Sequence, residues 1–346
     1  MKAIVLEAFG SAKNFKLKEV PLPEPGEREV RIKVKAVGFN PVDFKIREGI
    51  IGGAVPRILG SDCSGIIDSI GPNVTELSIG DEVFAMSYGK SSNGSYAEFL
   101  SLPVDFVVKK PKNLSFEEAA SVPLTSMTAY RTMIASNAIN KGDTIFIAGA
   151  GGGVGSFAVQ LAQWVGVKAI FTIALSEESA KFMEKNQGID PNHILIYKGL
   201  SIEELEKQLI AMNKGNYFNA TFDYVGQDIK HLCINLLNFS GHFSTILPEM
   251  DDFTFPVWSA RNSPFFKRNL SIHMVNVGAE SHSHLSETWG IYSKHLGYIS
   301  DLFNKNLLSP PVIKVVGDLS EKTVQEAHDL LEKGRTKGKL VMKLGN

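Results

Sequence analysis

A glycine-rich turn within residues 145–166, IFIAGAGGGVGSFAVQLAQWVG, restricts the fold of this chain more than any other stretch. An apolar run precedes the turn and an amphipathic pattern follows it, which predicts a strand, a tight turn and a helix. The spacing G-x-G-x-x-G does not fit, whereas A-x-G-x-x-G fits at Ala150, Gly152 and Gly155. This context predicts a βαβ unit that binds a dinucleotide. The alternative is a glycine-rich connector without a ligand.

The rest of the chain divides into two kinds of pattern. Around the turn, apolar runs alternate with helical segments, which predicts a doubly wound parallel sheet covered on both faces. These runs lie at residues 144–148, 169–174, 194–197, 220–224 and 241–246. In the first third, EVRIKVKAVGFN alternates apolar and polar residues, and short strand-like runs with Gly and Pro turns follow. That pattern predicts a small β-barrel, so the fold class is α/β with two domains.

Composition excludes several classes of protein. The 346 residues carry a formal net charge of -1, which gives no indication of a nucleic-acid partner. No apolar run approaches the roughly 20 residues of a membrane span, and the N-terminus reads as a strand rather than a signal segment. The two cysteines, Cys63 and Cys233, predict no disulfide framework and fit a reducing compartment. We therefore expect a cytoplasmic enzyme with no membrane partner.

The turn and the next strand predict how a dinucleotide binds. The helix N-terminus offers free N–H groups to a pyrophosphate, so we expect contacts from Ala150 and from residues 152–155 (Gly152, Gly153, Val154 and Gly155). The second strand ends at Ala174 and Leu175 and lacks the acidic residue that usually holds the ribose of NAD. Ser176 can bind a 2′-phosphate or cap the next helix, and both can hold at once.

Further residues bear on the choice between NAD and NADP. Lys181, Tyr197 and Lys198 can complete a pocket for the 2′-phosphate. Glu177 and Glu178 argue against this pocket unless they point to solvent. On balance the sequence favours NADP(H).

Several motifs together resemble the medium-chain dehydrogenase/reductase superfamily, in its zinc-free quinone oxidoreductase and enone reductase branch. The resemblance covers nearly the whole chain and rests on VGFNPVDFKIREG, PRILGSDCSGIIDSIG, GSYAEF, AASVPLTSMTAYRTM, AGAGGGVGSFAVQLAQ, FDYVG and AHDLLEKGRTKGKLVM. It implies a GroES-like barrel domain at residues 1–123 and 278–346 and a Rossmann domain at residues 124–277. Members are typically dimers or tetramers, so a homodimer is expected, with pairing through residues 271–277.

The zinc ligands of related dehydrogenases are replaced in this chain. Ser61 stands where zinc-dependent relatives carry the histidine of a G-H-E motif, and Asn40 lies near the position of their cysteine. The structural zinc loop with four cysteines is missing, and Cys63 reads as a packed residue. The SHSH run at residues 281–284 reads as a polar loop. The sequence therefore predicts no metal site.

The NPVDFK run carries the predicted chemistry. In the enone reductases of this branch an Asn-Pro-x-Asp-x-Lys run lines the substrate cleft, which implies three roles. Asn40 would contact the nicotinamide ribose or substrate, Asp43 would orient the loop, and Lys45 would face the substrate carbonyl. An ammonium group there stabilises a developing enolate and supplies a proton. The alternatives are a solvated Lys45 beside Arg47 and Glu48 on a surface turn, and an Asp43 that is the N-cap of a helix.

Other candidates have weaker support. Thr128 resembles the position that touches the nicotinamide amide, and otherwise reads as a packing threonine. Arg335 and Lys339 are placed to reach the cofactor, although basic residues are common at helix ends. Tyr88 and Tyr96 would border the substrate, while Tyr96 fits a core position equally well.

Three functions fit these features. The first is an NADPH-dependent reductase that transfers hydride to the C=C bond of an α,β-unsaturated carbonyl or to a quinone. The second is an NADPH-binding, structural or RNA-binding protein that keeps this fold, as lens crystallins do. The third is one-electron reduction to a semiquinone. Retention of both the glycine turn and NPVDFK favours the first.

Overall fold

A computed structural model describes residues 1–88, 94–249, 257–283, 285–334, 336 and 338–345. The chain divides into two units, one formed by residues 1–127 and 278–346 and the other by residues 128–277. The first division falls inside a helix, whereas the predicted boundary lay between residues 123 and 124. The second division falls between Val277 and Gly278.

The strands in chain order are β1 (Lys2–Leu6), β2 (Phe15–Glu19), β3 (Glu29–Gly38), β4 (Arg57–Ile58), β5 (Asp62–Ile70), β6 (Glu82–Met86), β7 (Phe99–Pro103), β8 (Val107–Lys109), β9 (Thr144–Ala148), β10 (Ala169–Ala174), β11 (Ile194–Ile196), β12 (Phe218–Asp223), β13 (Leu237–Thr245), β14 (Ser271–Met274), β15 (Ile313–Asp318) and β16 (Lys339–Lys343). The helices are α1 (Pro41–Arg47), α2 (Phe116–Ala120), α3 (Pro123–Tyr130), α4 (Gly153–Val165), α5 (Glu177–Gln187), α6 (Ile202–Met212), α7 (Asp228–Asn235), α8 (Pro264–Arg268), α9 (Gly290–Asn304) and α10 (Glu321–Glu332).

The first unit is built on two sheets. One has the strand order β15-β16-β3-β5-β6-β8, with β7 also paired to β3, and the other has the order β2-β1-β4. The alternation predicted for β3 is confirmed, because Val30, Ile32, Val34 and Ala36 are all buried. The C-terminal strand β16 pairs antiparallel with β3, so the last strand of the chain belongs to the same sheet as strands of the first third.

The second unit is a parallel sheet of the order β11-β10-β9-β12-β13-β14. Strand β9 lies at the centre, between β10 and β12, and its residues 145–148 are apolar and fully buried. Helices α4 to α7 connect successive strands, as the alternating pattern predicts. Because every strand pair in this sheet is parallel, the carboxyl ends of β9, β10 and β12 lie along one edge.

Candidate functional site

The glycine turn connects β9 to α4 and has the backbone geometry that a dinucleotide needs. Gly149 adopts a left-handed conformation (φ 85°), and Gly152 is the N-cap of α4. A Cβ atom on Gly155 would lie 2.1 Å from the carbonyl oxygen of Gly149, so only glycine permits this close packing of helix and turn. The first N–H groups of α4, from Gly153 and Val154 onward, have no partner within the helix.

A second feature of the turn also fits a bound phosphate. The Oγ atom of Ser156 is buried in the first turn of α4 and has no hydrogen-bond partner among the described residues. Gln187, the last residue of α5, donates from Nε2 to the carbonyl of Ala150 at 2.8 Å and so fixes the start of the turn. The residues present therefore fit a dinucleotide.

The edge formed by β10 and β11 brings together two of the residues predicted to bind the 2′-phosphate. Ser176 caps α5 by accepting the Ser179 N–H at 3.3 Å, so the capping alternative is realised. The backbone N–H of Tyr197 donates to Ala174 at 2.9 Å, which places Tyr197 beside the same strand end. Glu177 is exposed in the first turn of α5, and Lys181 is exposed one turn further on. Lys181 lines a surface depression together with Glu177, Glu184 and Ile196, the last residue of β11.

Three further residues were predicted to contact or reach the cofactor: Thr128, Arg335 and Lys339. Thr128 lies on α3 and is buried, which is compatible with either of its two readings. Arg335 lies outside the described residues. The prediction that Lys339 reaches the cofactor was wrong. Its side chain is buried, and its ammonium donates to Phe39 and Asn40 instead.

The NPVDFK run folds into a short helix rather than the surface turn that one alternative assumed. Asn40 is the N-cap of α1, Pro41 occupies its first turn, and the Asp43 carboxylate accepts the backbone N–H of Asn40 at 2.9 Å. Asp43 is thus the third helical residue and not the N-cap. The fixed φ of proline and the acceptor at the third position both favour the start of a helix here.

Lys45 and Arg47 on this helix differ in their contacts. Arg47 is buried and its Nη2 atom contacts Glu48 at 2.9 Å and Glu332 at 3.1 Å. Lys45 is half-buried, and its ammonium has no hydrogen bond or ion pair with any residue that the structure describes. Glu48, which one alternative placed beside Lys45, is therefore engaged by Arg47.

A buried polar cluster holds the start of α1. We define it as Asn40, Asp43, Ser61, Asp62 and Lys339, all of which are 5% exposed or less. The Ser61 hydroxyl donates to Asp43 at 2.5 Å, and the Asn40 amide donates to Asp62 at 2.9 Å. Lys339 donates to the Asn40 side-chain oxygen at 2.5 Å. Because the nitrogen and the oxygen of the Asn40 amide both bond within the cluster, this residue positions the start of α1. Its contact with the nicotinamide ribose or substrate stays a prediction.

Burial shifts the acidity of the cluster. Desolvation raises the pKa of Asp62 to about 7 and that of Asp43 to about 6, although Lys339 and the hydrogen-bond donors oppose the shift. Desolvation likewise lowers the pKa of Lys339. These carboxyls therefore titrate near neutral pH, which is where catalytic acids and bases are most effective.

Two aromatic residues near the cluster differ in exposure. Tyr96 is fully buried, as its core alternative predicted, and its hydroxyl contacts Asp43 and, at 3.0 Å, His328 Nε2. Burial lowers the pKa of His328 to about 3, so this histidine is neutral. Tyr88 is only half-buried, with its ring against Gly278 and edge-on to His282.

The donor set at α1 does not fit zinc. The positions that carry cysteine and histidine in zinc-dependent relatives hold Asn40 and Ser61, and both side chains are bonded to carboxylates. Zinc prefers thiolate and imidazole ligands, and neither lies in the cluster. No group of three or more His, Cys, Asp or Glu side chains suited to a metal occurs among the described residues. The SHSH run includes His284, which lies outside those residues.

Comparison with known proteins identifies the family. The family model of the alcohol dehydrogenase GroES-like domain matches residues 26–112, and that of the zinc-binding dehydrogenase matches residues 202–342. A zinc-type alcohol dehydrogenase-like protein of Staphylococcus epidermidis is 31% identical over 98% of this chain and 100% of its own. The chain belongs to the medium-chain dehydrogenase/reductase superfamily. It is an oxidoreductase of that superfamily, and the predicted GroES-like and Rossmann-like domains are confirmed.

Solved structures support the same assignment. An NAD-dependent alcohol dehydrogenase has 28% identity and a TM-score of 0.82 over 100% of both chains. A mycobacterial protein solved in complex with NADPH has 25% identity and a TM-score of 0.82 over 99% of this chain and 100% of its own. NAD is thus named for one of these two structures and NADPH for the other. Among the described residues of this chain, no helix is long and apolar enough to cross a membrane.

Proposed function

We propose that this oxidoreductase uses NADPH to reduce the C=C bond of α,β-unsaturated carbonyl compounds, or quinones, without a metal ion. The observation that carries the proposal is the ammonium of Lys45, which is half-buried and unpaired among the described residues. Its helix is fixed at its N-terminus by the buried polar cluster. A cation held in this way is available to a negative charge that develops on a substrate oxygen.

The chemistry follows from that cation. When bound, NADPH supplies a hydride from C4 of its nicotinamide ring. Addition of hydride to the β-carbon moves the C=C electrons toward the carbonyl oxygen, and Lys45 stabilises the resulting charge through its ammonium. The same group, or water, supplies the proton that completes the saturated product. An alcohol substrate lacks this electrophilic carbon, and the cluster at α1 lacks zinc ligands that would activate its hydroxyl.

The preference for NADPH rests on the β10–β11 edge. Ser176 and Tyr197 lie at this edge, and neither Ala174 nor Leu175 supplies the acid that holds the ribose of NAD. Glu177 is exposed, which removes the main objection to a 2′-phosphate. We assign Ser176 and Tyr197 to the phosphate and regard Lys181 as a weaker contributor because Glu177 and Glu184 line the same depression and oppose an anion there.

The proposal is tested by following nicotinamide absorbance with a panel of acceptors in the presence of a chelator. We expect NADPH, and not NADH at the same concentration, to be consumed with small enones or quinones and not with saturated aldehydes. Tight NADPH binding without turnover of any acceptor would instead support a binding or structural protein. With a quinone as acceptor, a semiquinone radical detected by electron paramagnetic resonance as the initial product would indicate one-electron reduction.

We also propose that the protein is a homodimer that pairs through β14. This strand is the edge of the parallel sheet, and its Ile272 and Met274 side chains are exposed. An exposed edge with apolar residues is a template for pairing with another strand. Sedimentation of the wild type and of Met274→Arg tests this: a dimer that the substitution leaves intact would contradict pairing at β14.

A further inference from the structure

Lys339 has an unusual environment for a lysine. It begins β16, and its side chain is 5% exposed. Its Nζ atom donates to the Phe39 carbonyl at 2.9 Å and to the Asn40 side-chain oxygen at 2.5 Å, and lies 3.9 Å from Asp62 Oδ2. Lysine is seldom buried unless it is paired, so a specific interaction must offset the loss of hydration.

The charges around Lys339 identify that interaction. Asp43 and Asp62 are fully buried, and of the described cations Lys339 alone forms an ion pair with either of them. Neither cation of α1 pairs with these carboxylates: Arg47 is engaged by Glu48 and Glu332, and Lys45 forms no ion pair with any residue that the structure describes. Two carboxylates buried without a counter-charge would be strongly destabilising, whereas a paired and hydrogen-bonded set is tolerated.

The geometry of Asp62 shows which protonation state the cluster is built for. Its Oδ2 atom accepts from the Asn40 amide at 2.9 Å, and its Oδ1 atom accepts from the backbone N–H of Leu124 at 2.9 Å. Both oxygens therefore act as acceptors, which fits the ionised carboxylate best. Protonation of Asp62 would replace one acceptor by a donor and disturb the bond to Asn40, the N-cap of α1.

We propose that the ammonium of Lys339 is the internal counter-cation of this site, in the place where zinc-binding relatives depend on a metal ion, and that it positions α1 through Asn40. The kinetic consequences of this inference depend on the proposed function, whereas its consequences for stability and zinc content do not. Lys339 is a positioning residue, since it acts on Lys45 through Asn40 and the helix start. The family model that covers Lys339 is that of a zinc-binding dehydrogenase, and the GroES-like alcohol dehydrogenase model covers the other four cluster residues, yet the donor set at α1 does not fit zinc.

The expected pH dependence involves every titratable group that faces the cluster. Asp62 on β5 and Asp43 on α1 face Lys339 directly. Behind Asp43 lie Tyr96 and, on α10, His328, whose pKa values are shifted so that both remain neutral at ordinary pH. Asp62 is therefore the group that changes charge nearest to Lys339 around neutral pH.

The kinetic test compares Lys339→Met, Lys339→Arg and Lys343→Met. Lys343 lies on the same strand but is half-exposed and pairs with Glu117, so it is a matched control. A cation at this distance lowers a carboxyl pKa by about 1–3 units. We expect Lys339→Met to shift the acidic limb of the plot of kcat/KM against pH to higher pH, by about one pH unit or more. Lys339→Arg should largely keep the wild-type limb, and Lys343→Met should match the wild type.

Two further measurements do not depend on activity. Elemental analysis of protein purified from zinc-supplemented medium should give substoichiometric zinc. The Tm of Lys339→Met should fall more steeply with rising pH than the Tm of the wild type, because Asp62 in this variant ionises without its counter-charge. Adding Asp62→Asn to Lys339→Met should remove the extra steepness.

The outcomes separate this inference from the proposed function. If Lys339→Met had the same pH profile of kcat/KM and the same pH dependence of unfolding as the wild type, the proposed role of Lys339 would be overturned. Stoichiometric zinc whose removal abolishes activity would overturn it as well. If the wild type reduces no acceptor, the proposed function fails, and the unfolding profiles still decide the role of Lys339. If Lys339→Met does not fold, Lys339→Arg and the single Asp62→Asn variant supply the comparison.

Discussion

Lys45 and Arg47 lie two positions apart on one short helix, and only one of them has a partner among the described residues. Arg47 fixes α1 to α10 through Glu332, so its replacement would affect folding. Lys45 makes no such contact. A substitution at Lys45 should therefore report on the reaction and leave stability nearly unchanged, within about 0.5 kcal/mol.

The first prediction concerns Lys45→Met. We expect kcat/KM with enones to fall by about 10²-fold, the usual effect of removing one oxyanion donor, while the Kd for NADPH stays the same. Lys33→Met, at an exposed position of β3, is the control. Initial rates that do not change with Lys45→Met would remove this residue from the mechanism.

The second prediction concerns Ser176→Asp. Aspartate is as good an N-cap as serine, so α5 should keep its start. Its charge would oppose a 2′-phosphate and supply the acid that NAD sites use. We expect the KM for NADPH to rise about tenfold or more, which corresponds to about 1.4 kcal/mol, and that for NADH to fall. Equal effects on the two cofactors would contradict a phosphate site at Ser176.

At the scale of elements, the glycine turn offers a matched pair of substitutions. A Cβ atom on Gly155 would meet the Gly149 carbonyl at 2.1 Å, whereas one on Gly151 would meet Met183 side-chain atoms at 3.6 Å. We expect Gly155→Ala to displace α4 and to abolish NADPH binding. Gly151→Ala should be neutral or stabilise by up to about 1 kcal/mol. Fluorescence titration with NADPH measures both, and equal binding by the two variants would show that close packing at Gly155 is not required for the cofactor.

The elements themselves were largely predictable, and the cluster was not. Strands β9 and β10 match the predicted apolar runs at both ends, because a buried parallel strand leaves a continuous apolar stretch between turns. The contact between Lys339 and Asn40 joins residues 299 positions apart, and no local pattern encodes it. A basic residue after a helix is common, so Lys339 alone gave no indication that it is buried.

At the scale of the whole molecule, the cluster links stability to pH. Folding raises the pKa of Asp62 from an ordinary value near 4 to about 7, so the folded state binds a proton more tightly than the unfolded state. The stabilisation from this carboxyl is complete below about pH 4 and is lost as the pH rises through about 7. Activity that needs ionised Asp62 would rise over the same range in which stability falls.

The corresponding prediction compares the wild type with Asp62→Asn. The amide resembles the neutral acid and does not titrate. Between about pH 5 and pH 8 the wild type should lose at least about 1 kcal/mol of unfolding free energy relative to the variant, since one pKa unit corresponds to about 1.36 kcal/mol. Urea unfolding at several pH values measures this difference. A difference that stays constant with pH would show that Asp62 does not titrate in this range.

The most direct measurement of the central claim is the fate of the transferred hydrogen. An enone is reduced with NADPH carrying deuterium at C4, in the presence of a chelator, and the product is examined by NMR. The account predicts a saturated carbonyl compound with deuterium on its β-carbon, because hydride adds there while charge moves to the oxygen. Deuterium on the carbonyl carbon of an allylic alcohol, or loss of the reaction with the chelator, would contradict metal-free reduction of the C=C bond.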